Sequence, residues 1–126
     1  MKMFKLRKPI VILITILLAI TLTACGRDVL QDAVDEINSD RELHEELSGL
    51  YTVRAEKRGE SAIVVIFRAE LEELATTEIS RTVAEGGAKE FGEAVNEMRK
   101  ARIVNPEVIL EFFDLSGVLI YTHVFD

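Results

Sequence analysis

The pattern of apolar and polar residues divides the chain into a leader and four later segments. A basic start without acids is followed by an apolar run over residues 10–22. Apolar residues then recur at helical spacing over residues 28–48 and 70–101, whereas residues 51–67 and 107–125 have the alternation and β-branched content of strands. The pattern predicts the order helix, β-hairpin, long helix, β-hairpin after the leader.

Both helical segments contain a weak point. In the first, Ser39 and Glu42 form a capping box, so residues 28–48 are either one helix with a break or two collinear helices. Gly49 is placed to end this segment. In the second, Gly86-Gly87 interrupts the pattern, at about 1 kcal/mol per glycine relative to alanine. Either the helix bends there or Gly87 permits close approach to the sheet.

The last hairpin turns at Asp114-Leu115-Ser116-Gly117, with Asp and Gly at the first and fourth positions of a type I turn. Such a turn commonly carries a glycine bulge. Adjacent antiparallel strands with helices between the hairpins indicate an α+β fold. We therefore predict one antiparallel four-stranded sheet with helices packed on it.

The turn also predicts which residues of this hairpin share a face. If Asp114 opposes a bulge at Gly117-Val118, then Phe113 pairs with Leu119 and Phe112 pairs with Ile120. One face then joins the core and holds Val108, Leu110, Phe112, Ile120 and Val124. The other face, a possible interaction face, holds Ile109, Phe113, Leu119, Tyr121 and Phe125.

The possible interaction face is too apolar to remain an open surface, because monomers rarely leave large apolar patches bare. Two arrangements would cover it. The first helix could pack on it and make a three-layer domain. Alternatively, both helices pack on the first face and the second face meets a second copy or another envelope protein.

The leader has the features of a secretory signal that ends at a cysteine. Its basic residues precede an apolar run that stops at Leu22-Thr23-Ala24-Cys25. This ending resembles the lipobox of bacterial lipoprotein precursors: a branched apolar residue, two small residues and a cysteine. The resemblance implies that the Cys25 thiol takes a diacylglycerol group as a thioether and that cleavage before Cys25 follows, with palmitate among the acyl chains. Two or more acyl chains give stable membrane anchoring.

Two other interpretations of the leader remain open. A transmembrane helix needs about 20 apolar residues, and this run is shorter and contains Thr15 and Thr21. An uncleaved single-span anchor is therefore less favoured, as is a plain secreted protein. The predicted division is a signal peptide over residues 1–24, an anchor and short linker over 25–27, and one domain over 28–126.

Charge and cysteine content restrict the partners of the predicted mature chain. The first 24 residues hold four of the 15 basic residues and none of the 22 acidic ones, which leaves 11 basic against 22 acidic residues and a formal charge of −11. That balance argues against nucleic acid as a partner. Cys25 is the only cysteine, so no intrachain disulfide can form.

The C-terminal pattern resembles small bacterial lipoproteins, mostly of Gram-positive Firmicutes, whose mature part is a domain of unknown function. The resemblance is carried by Ile103-Val104-Asn105-Pro106-Glu107-Val108-Ile109-Leu110-Glu111-Phe112, by the turn ending in Gly117 and by a last strand closing on Phe125. The family turn usually contains Asp-Gly, from which this chain departs. The resemblance implies an extracytoplasmic, lipid-anchored protein and brings no activity or site residues.

Residues with possible catalytic or metal-binding chemistry are scattered along the chain. His44-Glu45-Glu46 lacks the second histidine of a His-Glu-x-x-His zinc motif, and His123 lies among apolar strand residues. Ser61 and Ser116 lie in or beside turns, without the context of a nucleophile elbow. We therefore predict no catalytic residue, no metal site and no cofactor.

These observations favour a lipid-anchored module of the cell envelope that acts through protein contacts or through a small ligand. It would sit on the extracytoplasmic side of the cell membrane, joined to it by the lipid on Cys25. The alternative is an envelope hydrolase with a site assembled across the sheet. A polar cleft with converging titratable groups would favour that alternative.

Overall fold

The computed structural model describes residues 2–18 and 29–126. In this part of the chain three helices are followed by two strands, two further helices and two further strands, and a short 3-10 turn over Glu72–Leu74 precedes α4. The elements are α1 (Lys2–Leu18), α2 (Val29–Ser39), α3 (Arg41–Leu47), β1 (Tyr51–Arg58), β2 (Ala62–Ala69), α4 (Thr77–Gly86), α5 (Ala88–Lys100), β3 (Glu107–Phe113) and β4 (Leu119–Phe125).

The four strands form one sheet in the order β1-β2-β3-β4, and the predicted α+β class is confirmed. The prediction of a fully antiparallel sheet is wrong, because β2 and β3 are parallel, with Ala62 opposite Glu107 and Arg68 opposite Phe113. Two helices, α4 and α5, separate these strands in the chain. A crossover of this kind lets the second strand return in the same direction beside the first.

The first predicted helical segment is two helices, and the break has a specific cause. The backbone N–H of Leu43 donates to the Asp40 carboxylate at 2.8 Å, which makes Asp40 the N-cap of α3. The predicted capping box at Ser39 is therefore wrong; the Ser39 hydroxyl donates instead to the Asp35 carbonyl at 2.8 Å. Gly49 follows α3 with a φ of +83°, as its predicted role at the helix end requires.

The second predicted helix is also interrupted, at the glycine pair. α4 begins after its N-cap Thr76 and ends at Gly86, and α5 begins after Gly87. A β-carbon on Gly87 would lie 2.8 Å from the Phe91 ring and 3.4 Å from Ile10 of α1. Close approach does occur at Gly87, but it involves a neighbouring ring and α1, and not the sheet.

The main hydrophobic core lies between the helices and one face of the sheet, which we call the helix face. Its centre is aromatic: the Phe67 and Phe112 rings stack at 4.9 Å, and Tyr51 meets both edge-on. At one end Phe91 of α5 stacks on Phe125 of β4 at 5.0 Å. Buried residues from every described helix and strand contribute to this core.

Helix α1 forms part of the helix layer and packs against α2, α3 and α5. Leu13 and Leu17 are fully buried, whereas Val11 on the same helix is 54% exposed. At one end the Lys8 ammonium lies 3.1 Å from the Glu46 carboxylate, and this hydrogen bond and charge raise the pKa of Lys8. The apolar run predicted to belong to a leader therefore contributes side chains to the core.

The predicted pairing of the last hairpin is correct at one position and wrong beyond it. The turn is formed as expected, because Gly117 donates to the Asp114 carbonyl at 3.0 Å and has a φ of +85°. Phe113 pairs with Leu119, but the register shifts next to it, so Phe112 pairs with Tyr121 and not with Ile120. The extra residue on β4 reverses the face assignment of every following residue.

Candidate interaction surface

The predicted lipidation site lies outside the described residues. Leu22, Thr23, Ala24 and Cys25 all fall between α1 and α2, where the structure describes no position. The lipobox remains a prediction from the sequence.

The predicted interaction face is divided between the two sides of the sheet. Ile109, Phe113 and Leu119 lie on the side away from the helices, which we call the open face. Tyr121 and Phe125 lie on the helix face, where they contact Phe112 and Phe91. The assignment of Tyr121 and Phe125 to the same face as Phe113 is therefore wrong, and the cause is the register shift on β4.

One of the predicted core residues, Val124, changes sides for the same reason, whereas Ile120 stays on the side of the main core. Val124 pairs with Ile109 on the open face and is 46% exposed. Ile120, the extra residue on β4, is partly buried against the main core. No described helix packs on the open face, so within this part of the chain the domain has two layers. For the described residues, the predicted three-layer arrangement is therefore wrong.

The open face has a small apolar centre beneath charged side chains. Ala62, Val64, Ile66 and Ile109 form a second buried cluster, with Phe113 packed against it. Four charged residues of the neighbouring strands, Arg54, Glu56, Arg58 and Glu111, lie on the same face as this cluster. The ion pairs among them join Arg58 to Glu111 at 3.2 Å, Arg58 to Glu56 at 3.1 Å and Arg54 to Glu56 at 3.3 Å.

These charged residues explain how a bare sheet face stays compatible with water. Arginine covers apolar surface with its methylene groups while its guanidinium remains solvated. Val64 is fully buried in this way without a helix above it. The apolar centre of the open face is therefore shielded from water, although no described helix packs on it.

A shallow depression of about 330 Å³ lies at one end of the open face. Its lining consists of Thr52, Val53, Arg54, Ile66, Arg68, Phe113 and Gly117. The Arg68 guanidinium donates to the Leu115 carbonyl at 2.7 Å and forms no ion pair with any carboxylate in the described residues. The depression thus combines an apolar wall with a cation held by the hairpin turn.

Exposed apolar side chains concentrate on the β3–β4 hairpin. Leu115, Val118, Leu119 and Val124 are between 39% and 58% exposed, and outside this hairpin only Val11 and Val104 are comparable among the described residues. The predicted interaction face included Leu119 but neither Val118 nor Val124. The available signal was the high β propensity of valine, at Val124 within a strand that has no charged residue and at Val118 directly before that strand.

The two histidines and two serines that were considered as chemical groups all take part in hydrogen bonds of the fold. For Ser61, the backbone carbonyl accepts from the Glu107 N–H at 3.0 Å. His44 Nε2 donates to the Ile37 carbonyl at 3.0 Å and so satisfies the end of α2. His123 Nδ1 is hydrogen-bonded to the Tyr121 hydroxyl at 2.8 Å. The backbone N–H of Ser116 donates to Asp114 within the turn. Among the described residues, no group of three or more His, Cys, Asp or Glu side chains could hold a metal ion.

One buried polar atom stands apart from this pattern. The Tyr51 hydroxyl is buried and has no hydrogen-bond partner among the described residues. Burial raises the pKa of Tyr51 to about 12, because the charged phenolate would lose its hydration. The hydroxyl lies within the aromatic core and not on the open face, so it is a feature of stability.

Replacing Tyr51 with phenylalanine is expected to keep or raise stability at neutral pH, by up to about 1 kcal/mol, since it removes an unpaired buried hydroxyl. The unfolded tyrosine titrates near pH 10 and the folded one near pH 12. The folded state therefore holds its proton longer, and stability falls between these values by at most about 1.4 kcal/mol per pH unit. Urea denaturation at several pH values should show a shallower loss in Tyr51→Phe.

Tyr121→Phe is the matched control, because its hydroxyl has a partner in His123. Removing that bond should destabilise the domain by about 0.5–1.5 kcal/mol. At neutral pH this change in stability has the opposite sign to the one expected for Tyr51→Phe. Equal destabilisation by the two changes would contradict the account of Tyr51.

Comparison with known proteins gives no relative from which a function could be transferred. No protein-family model matches the chain, and the curated proteins and solved structures likewise give no significant match. In residues 2–18 and 29–126 no helix is both long enough and apolar enough to cross a membrane.

Proposed function

We propose that this protein is a lipid-anchored module on the extracytoplasmic side of a bacterial cell membrane, and that it acts through protein contacts without catalysis. The observation that carries the proposal is Leu22-Thr23-Ala24-Cys25 at the end of a basic and then apolar leader. The sole cysteine of the chain stands at the position where lipidation would occur. The resemblance to small lipoproteins of Firmicutes supports the same function.

The folded domain supports contact with another protein in two ways. Its exposed apolar side chains are grouped on one hairpin, and such groups mark interaction sites. Its acidic balance disfavours nucleic acid and anionic lipid surfaces as partners of the folded part. A protein surface remains the partner that fits both features.

The rival function is an envelope hydrolase, which would need polar groups converging in a cleft. In the described residues, the buried polar side-chain groups are the Tyr51 hydroxyl in the aromatic core and the Ser80 hydroxyl, which donates to the Thr76 carbonyl, and they lie in no common cleft. The charged groups of the open face pair mainly with one another. No observation favours the hydrolase over the contact module.

Replacing Cys25 with serine tests the anchor. We expect Cys25→Ser to lose all incorporation of labelled palmitate and to accumulate at precursor size, because the serine hydroxyl cannot form the thioether. Metabolic labelling followed by gel electrophoresis of the membrane fraction measures both effects. Thr23→Ser is the matched control, since it keeps a small residue before the cysteine and should be labelled and processed like the parent. A parent chain without label, or a labelled Cys25→Ser chain, would refute the proposed anchor.

A further inference from the structure

The two edges of the sheet differ in how they are protected. An edge strand presents unpaired backbone groups to solvent, and natural proteins block such edges with charges or with covering elements. Strand β1 carries four charged residues, Arg54, Glu56, Lys57 and Arg58. Strand β4 carries none in Leu-Ile-Tyr-Thr-His-Val-Phe when its histidine is neutral.

Strand β1 is also bonded along its outer edge by its own chain. The Asn38 side chain of α2 accepts from the Ala55 N–H at 2.7 Å and donates to the Ala55 carbonyl at 3.0 Å. This amide takes the place that a neighbouring strand would have. A second strand cannot pair along β1 without displacing α2.

Among the described residues, no side chain forms a hydrogen bond of this kind along the middle of strand β4. It is the last strand of the sheet. The Arg81 guanidinium of α4 lies over the Tyr121 ring, 5.8 Å from its centroid, and hydrogen bonds from the helix layer reach the two ends of the strand. The Thr77 hydroxyl donates to the Ile120 carbonyl at 3.1 Å, and the Arg99 guanidinium donates to the Asp126 carbonyl at 3.1 Å. Between these contacts lies a stretch rich in aromatic and β-branched residues, with Val124 46% exposed.

We infer that β4 pairs antiparallel with β4 of a second copy, about a two-fold axis through Thr122, to form a continuous eight-stranded sheet. The unpaired edge of a sheet selects a β-strand as its occupant, because its backbone groups bond to a strand. A two-fold axis makes the same strand serve on both sides. In this register Tyr121 of one copy lies opposite His123 of the other, and Ile120 lies opposite Val124.

Charge favours this edge for contact between two copies of an acidic chain. The full chain has a formal charge of −7, so most surfaces of two copies repel each other. Pairing through β4 brings no acidic residue of either strand against the other, because the strand has none. The pairing also extends the exposed apolar side chains of the hairpin into one larger patch on the open face.

Cysteine cross-linking of the full chain tests the inference. Residues directly opposite each other in antiparallel strands have α-carbons about 4.5–5.5 Å apart, which lies within the range for a disulfide. Thr122→Cys should therefore form a disulfide-linked dimer under mild oxidation, measured on non-reducing gels. Thr52→Cys is the matched control, since it is an exposed threonine on the open face of the other edge strand. Both variants carry Cys25→Ser, so the introduced thiol is the only one.

A charged residue on the edge gives a second, independent measurement. Val124→Lys should convert the dimer to a monomer in light scattering, whereas Val118→Lys, in the turn, should leave the dimer intact. Circular dichroism identifies any variant that fails to fold, in which case the cross-linking result decides alone. Cross-linking of Thr122→Cys at the same low level as Thr52→Cys overturns the inference, whatever the oligomeric state. Since both cross-linking variants lack Cys25, that outcome leaves the proposed anchor unaffected.

Discussion

Replacing Phe112 with alanine is expected to lower the free energy of unfolding by about 3–5 kcal/mol, the usual cost of truncating a fully buried phenylalanine. Phe112 has no exposed surface and stacks on Phe67 at 4.9 Å with the rings nearly parallel. Tyr51 and Tyr121 approach it from two further sides, at 6.2 Å and 6.1 Å between centroids. The cavity would open among rings from the three other strands, and these rings have little freedom to collapse into it.

Phe113 provides the matched control, because it is the next residue on the same strand and lies on the open face. Its ring is partly buried and packs against the small cluster that includes Val64 and Ile109. Phe113→Ala should therefore cost about 1–2 kcal/mol, well below the value for Phe112→Ala. Urea denaturation of the full chain followed by circular dichroism measures both. Equal losses would indicate a third layer over the open face and contradict the two-layer arrangement.

The elements of this fold were predictable from the sequence because their signals are local. Hairpin turns, the end of α3 at Gly49 and the break at Gly86-Gly87 each depend on a residue whose backbone preference is strong. The exact cap of α3 was not predicted, because Ser39 and Asp40 are adjacent and both are good N-caps. The structure selects Asp40, and the Ser39 hydroxyl bonds within α2 instead.

The parallel pairing of β2 and β3 is a long-range property, and the sequence contained an overlooked sign of it. Ala62–Phe67 is apolar at every position and is buried on both faces. Continuous apolar runs are typical of strands that are buried on both faces, as in parallel sheets. Alternation is typical of antiparallel strands with one face in solvent. The antiparallel prediction followed from treating each hairpin as a unit and not from the pattern of β2 itself.

The error in the β4 register has a different cause. Ile120, Tyr121, Val124 and Phe125 are all apolar, so the strand offers apolar residues on either face. Alternation alone could not decide between the two registers. The decision comes from the aromatic core, since the extra residue on β4 brings Tyr121 to Phe112 and Phe125 to Phe91. Through this one-residue shift, two of the five residues of the predicted interaction face, Tyr121 and Phe125, lie on the helix face.

The leader shows why a sequence pattern can fit two structural roles. An apolar run with a basic start is typical of a signal peptide, and an apolar helix is equally suited to a protein core. In the structure α1 packs on α2, α3 and α5, with Thr15 on its exposed side donating to the Val11 carbonyl. The sequence contained no polar face that would have indicated where such a helix packs.

Replacing Leu17 with alanine in the full chain is expected to cost about 2–5 kcal/mol, because this side chain is fully buried in the helix layer. Val11→Ala on the same helix should cost less than about 1 kcal/mol, since Val11 is 54% exposed. Both variants carry Cys25→Ser, so that α1 is retained, and urea denaturation gives the two free energies. Similar small effects would mean that α1 does not pack on the domain in solution.

Cleavage before Cys25 would remove α1 and the buried side chains that it contributes to the core. Four aliphatic side chains of α1, those of Leu13, Ile14, Ile16 and Leu17, are buried in the core. Each contributes about 1.5–3 kcal/mol when fully buried, so their removal would expose apolar surface on the helices beneath. A chain of residues 25–126 should then bind an apolar dye more strongly than the full chain does. Equal dye binding, together with a small effect of Leu17→Ala, would show that the folded domain is complete without α1.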